Sequence, residues 1–153
     1  MPRILVIGYG NALRADDALG WRVAELLRKN AELSTADILT LQQLSPELAE
    51  VISRAAFVVF VDAMHGTDAP GTIVETELQP ECRSPQCFSH DLTPSTLLAC
   101  AAELFGSTPR ARLFSVVGAD FGLGEQLSPA VEAQLPEVTS RIVSCIRQVL
   151  APA

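Results

Sequence analysis

The chain has no cluster of lysine and arginine: 11 basic residues are scattered among 18 acidic ones, giving a formal charge of −7. No nucleic-acid partner and no membrane partner is therefore expected, and a cationic partner or a metal suits the charge better. There is no apolar run long enough to span a bilayer, and Met1-Pro2-Arg3 leads directly into a strand pattern without a separate signal-peptide core. A cytoplasmic protein is the expectation. Aromatic residues are scarce at 5% against 48% hydrophobic, so the core must be built from Ala, Leu, Val and Ile, the composition of helices packed on a parallel sheet. The cysteines Cys82, Cys87, Cys100 and Cys145 lack the two-residue spacing of a zinc site and are expected as free thiols. A Gly-x-Ser-x-Gly elbow is missing as well, and the consecutive Ser89, His90 and Asp91 cannot converge as a serine triad.

At 153 residues the chain fits a single domain, 1–153, with no repeat and no linker. Ile4 to Ile7 is apolar on both faces and reads as a central parallel strand; a crossover helix follows from Asp17 to Lys29. Asp37 to Leu41 reads as a second strand. Ser45-Pro46 starts a helix running to about Ser53, and Ala56 to Val61 forms a third strand closed by Asp62. Gly66 to Gly71 is too short for a crossover helix, so Thr72 to Leu78 should turn back as an antiparallel edge strand. A helix that starts at Thr93-Pro94 or Ser95 and ends at Phe105-Gly106, and a strand from Arg112 to Val117, complete the pattern. After the glycine-rich loop Gly118 to Glu125, Ser128-Pro129 opens a last helix that Pro136 should kink or split. The expected fold is α/β: a twisted, mostly parallel five-stranded sheet with one antiparallel edge strand and helices on both faces.

The chemistry gathers where buried strands end, since ligands of open α/β sheets bind at the carboxyl ends of strands near a switch in strand order. Gly8 and Gly10 allow a tight turn that delivers Asp16 and Asp17; Leu13 stands where a dinucleotide fingerprint needs its third glycine. The plainer reading makes Asp16 an N-cap and Asp17 a charge favourable to the helix dipole. Asp62 ends a wholly apolar strand, where a buried carboxylate needs a partner, expected to be cationic. His90, in the loop before the Pro94 helix, adds an imidazole. Two carboxylates and an imidazole form a partial ligand set for a divalent transition metal, with a solvated His90 and a capping Asp62 as the plainer alternative. His65 is a substrate-contact candidate or a solvated loop residue.

These residues fall in motifs that resemble a known family, the endopeptidases that mature nickel-iron hydrogenases by removing a C-terminal extension from the large subunit. Gly8-Tyr9-Gly10-Asn11 with Leu13 and Asp16-Asp17 is similar to the family's opening motif, Val61-Asp62-Ala63 to its second and Ser89-His90 to its third. Gln43 to Ala49 and Asp120 to Glu125 further resemble the branch that serves soluble bidirectional NAD(P)-linked hydrogenases. The resemblance implies a hydrolase, an aspartyl-type endopeptidase acting on the large-subunit precursor, with Asp17, Asp62 and His90 as catalytic and nickel-contacting residues. The nickel would be the substrate's, with no permanent cofactor, and the protein a monomer. The general base stays open between Asp16 and Asp62. Two departures stand out: Asp17 where many members have Glu, and Ala18 where Gly is frequent. Two alternatives remain: a non-catalytic checkpoint or chaperone binding the same precursor, and a small-molecule enzyme using the Gly118 loop as a phosphate cradle.

Overall fold

A computed structural model describes residues 3–81 and 92–151. Cys82, Cys87 and His90 lie outside the described residues. The strands β1 (Ile4–Tyr9), β2 (Asp37–Leu41), β3 (Phe57–Met64), β4 (Ile73–Leu78) and β5 (Arg110–Val117) form one sheet in the order β2-β1-β3-β5-β4. All pairings are parallel except β4 with β5, so the edge strand runs backwards as its short preceding connection required.

Alternation along the strands feeds two cores. Ile4, Val6, Val59, Val61 and Phe114 pack under α1 (Leu19–Arg28) and the last helix. Leu5, Ile7, Val58, Phe60 and Ala111 face α2 (Leu48–Ser53) and α3 (Pro94–Phe105). Each fully buried Leu, Ile or Phe contributes about 1.5–3 kcal/mol, so covering both faces is what holds this aromatic-poor sheet. Pro136 splits the C-terminal helix: α4 (Pro129–Glu132) ends first, and α5 (Leu135–Leu150) takes the proline in its first turn, where a missing N–H costs nothing. Cys100 is buried in the α2/α3 core, and Cys145 is half-buried against the other.

Several boundaries differ from the sequence reading: α1 begins at Leu19 after a 3-10 turn and β5 begins at Arg110, and two further differences, in β3 and α2, bear on the site or its surroundings. β3 does not close at Asp62 but runs on to Met64, because β5 continues beside it and pairs Asp62 with Ser115. The polar residue is satisfied inside the ladder and need not end it. α2 begins at Leu48, not at Pro46, and Ser45 is not its cap. Leu48 N–H bonds to Ser45 carbonyl and Ala49 N–H to Pro46 carbonyl, so tight turns lead into the helix and use the donors a capping side chain would have taken.

Candidate functional site

β1 has β2 on one side and β3 on the other, so the strand order reverses between β1 and β3. Asp17 follows β1 and Asp62 lies near the carboxyl end of β3, beside the crevice an open α/β sheet offers to ligands.

Asp17 is carried by a 3-10 turn, Ala15–Ala18, between β1 and α1. Gly10 makes its approach possible: its φ is +141°, and a Cβ there would lie 2.1 Å from the Asp17 carbonyl oxygen and 3.2 Å from Oδ1. Only glycine fits that conformation and that distance. Asn11 N–H donates to Asp17 Oδ2 at 2.7 Å, orienting a half-buried carboxylate that keeps Oδ1 toward the turn. The Ala18 departure is absorbed, since its methyl is buried in the α1/α5 core.

Asp62 is held from both sides. The Tyr9 hydroxyl on β1 donates to Oδ2 at 2.6 Å, and the Ser115 hydroxyl on β5 donates to Oδ1 at 2.6 Å. Burial raises the Asp62 pKa above the ordinary carboxylate range; the two hydroxyl bonds pull it down and the Asp17 charge pushes it further up. Tyr9 is raised as well, first by burial and then by the charge of Asp62 and the bond to it. The expected cationic partner is thus corrected: the described hydrogen bonds to this carboxylate come from neutral hydroxyls. Hydroxyls satisfy lone pairs without neutralising charge, so the Asp17–Asp62 pair keeps a negative potential at the switch point.

Asp16 is corrected too. It is no N-cap; the 3-10 turn has Arg14 in that place and no capping side chain. Its fully buried carboxylate instead clamps the distant loop, accepting from Ala119 N–H at 2.7 Å, Asp120 N–H at 3.0 Å, Ser128 N–H at 2.7 Å and the Ser128 hydroxyl at 2.8 Å. Burial pulls its pKa up, but these four bonds outweigh that and hold it below the usual range. With both oxygens so committed, Asp16 drops out as general base. The same bonds remove the phosphate-cradle reading, because Ala119 and Asp120 N–H serve Asp16, Gly122 N–H serves Asp120 Oδ1 and Gly124 N–H serves the Leu13 carbonyl.

His65 follows β3 on the exposed rim, with its ring stacked on Phe121 at 3.8 Å and 25°. Phe121 folds over Gly118, where a Cβ would lie 2.5 Å from its ring. Among the described residues no group of three or more His, Cys, Asp and Glu side chains converges to hold a metal. Tyr9 and Ser115 were missed from the sequence. A lone serine in the apolar run Leu113 to Val117 was the available signal.

No family model matches the chain. Over 151 residues it is 28% identical to the hydrogenase 2 maturation protease of Escherichia coli K12, spanning 95% of this chain and 92% of that protein. It is 29% identical over 151 residues to the hydrogenase expression/formation protein HupD of Rhizobium leguminosarum bv. viciae, spanning 95% of this chain and 75% of that one. Its fold matches the hydrogenase maturating endopeptidase HybD from E. coli with a TM-score of 0.77 and 24% identity, over 97% and 94% of the two chains. The NiFe hydrogenase maturation protease HycI from Thermococcus kodakarensis gives 0.75 and 25%, over 95% and 93%. The chain is thus similar along almost its whole length to hydrogenase maturation proteases, and it shares the fold of the hydrogenase maturation endopeptidases.

Proposed function

We propose that the chain is a cytoplasmic, monomeric endopeptidase that removes the C-terminal extension of a nickel-iron hydrogenase large-subunit precursor once nickel has been inserted. The observation that carries this is the acidic pair at the switch point: Asp62 is bonded by hydroxyls instead of a cation, and burial, with the Asp17 charge adding to it, raises its pKa. Such a pair offers hard oxygen donors to a cation arriving on another molecule. Asp17, Asp62 and His90 contact the precursor's nickel, so the metal belongs to the substrate and reports that assembly is complete. No described helix is long and apolar enough to cross a membrane, in keeping with a partner met in solution.

Nickel held by these residues positions the precursor for hydrolysis after a basic residue near its last cysteine ligands. Where the metal only docks the chain, Asp62 is the general base that remains, since burial raises its affinity for a proton. The motifs Gln43 to Ala49 and Asp120 to Glu125 support a soluble bidirectional NAD(P)-linked hydrogenase as the source of the precursor.

Mass spectrometry of precursor incubated with the chain tests the reading. A C-terminal peptide should be released from nickel-loaded precursor and not from nickel-free precursor. An intact loaded precursor would leave only the non-catalytic checkpoint.

A further inference from the structure

Tyr9, Asp62 and Ser115 stand in one row across three neighbouring strands. Asp62 and Ser115 are register partners between β3 and β5, and Gly8 pairs with Val61 between β1 and β3, which sets Tyr9 beside Asp62. The next row below on the same face is wholly apolar, with Ile7 against Phe60 and Phe60 against Leu113. The polar row is therefore confined to the carboxyl end of the sheet, and Ser115 within it is only 4% exposed.

We infer that Tyr9 and Ser115 are positioning residues for Asp62, holding its carboxylate from both flanking strands so that the remaining lone pairs keep one fixed direction at the strand ends. This rests on the reading of Asp62 given under Proposed function. An ionised carboxylate has about four lone-pair sites, and the two hydroxyls occupy one on each oxygen. Both bonds, at 2.6 Å, lie in the short range of charge-assisted O–H···O− contacts. Opposed donors on separate strands prevent the carboxylate from turning about its last torsion, which a single donor would permit. Tyr9 is itself fixed, its ring meeting Phe60 edge-on at a centroid distance of 6.5 Å. Outer hydrogen bonds of this kind orient the groups that meet a metal, and losing one costs about 10–100-fold in affinity or activity.

The test is cleavage of nickel-loaded precursor by the full chain carrying Tyr9→Phe, Ser115→Ala, Ser115→Thr, the Tyr9→Phe/Ser115→Ala pair or Asp62→Asn, each checked by circular dichroism and thermal midpoint. Tyr9→Phe keeps the ring contact and loses only the hydroxyl; Ser115→Thr keeps the hydroxyl. Tyr9→Phe and Ser115→Ala should each lower kcat/KM about 10–100-fold at an unchanged melting midpoint. Ser115→Thr should recover most of the activity, and the pair should approach Asp62→Asn. Wild-type rates in Tyr9→Phe and Ser115→Ala beside an inactive Asp62→Asn would overturn the positioning role and leave the reading of Asp62 intact. A loss that follows a fall in melting midpoint and is not recovered by threonine would also overturn it, as a structural effect. A fully active Asp62→Asn overturns both at once.

Discussion

Replacing Asp16 with asparagine puts an amide against three backbone N–H groups and a hydroxyl that now share one buried carboxylate. Each buried donor left without an acceptor costs about 1–3 kcal/mol, so Asp16→Asn should lose about 3 kcal/mol of stability or more in urea titrations. The pH dependence follows from the direction of the Asp16 shift. Its folded pKa lies below the unfolded one, so its contribution is fully present above the unfolded value of about 3.9 and is lost as pH falls through the lower folded pKa. Wild type should lose stability down that acid limb, and Asp16→Asn should show a flatter one. At the site, His90→Ala and Asp62→Asn should abolish peptide release with the fold intact, while Cys87→Ser should be silent; full activity in His90→Ala refutes the metal contact.

At the scale of elements, the turn after β1 depends on Gly10, and Gly10→Ala should cost about 1–3 kcal/mol, since φ is +141° and the new Cβ meets the Asp17 carbonyl. Peptide release should fall with it, because the Asp17 backbone must move. Thr93 starts α3 with a capping box in which its hydroxyl accepts from Thr96 N–H and the Thr96 side chain accepts from Thr93 N–H. Thr93→Ala should lower stability by about 1 kcal/mol, read from the thermal midpoint. Much of this level was legible from sequence: the Thr93-Pro94 start, the antiparallel edge strand and the break at Pro136 all rest on local chemistry. The ends of β3 and α2 were not, because a strand continues as long as its neighbour supplies partners, and Ser115 supplies one for Asp62.

For the whole molecule, the proposed reaction makes the metal part of the substrate. Treating the purified chain with a chelator and then removing the chelator should leave cleavage of nickel-loaded precursor unchanged. Adding nickel to the chain should not rescue nickel-free precursor. Peptide release that needs metal restored to the chain itself would place a resident metal in the protease and overturn that assignment.

The sequence by itself determined which segments are strands and helices, that both sheet faces are buried, and that Asp17 and Asp62 stand near the carboxyl ends of their strands. These properties follow from apolar periodicity, proline and glycine, all of which act over a few residues. Tertiary structure alone decided which carboxylate does what. Asp16 and Asp17 are neighbours of identical chemistry, yet Asp16 finds its donors more than a hundred positions away and is spent on holding a loop. The order β2-β1-β3-β5-β4 sets β3 between β1 and β5, and only that adjacency brings the hydroxyls of Tyr9 and Ser115 onto Asp62. Hydrogen bonds between distant segments depend on strand neighbours and register, which packing selects and local pattern does not encode.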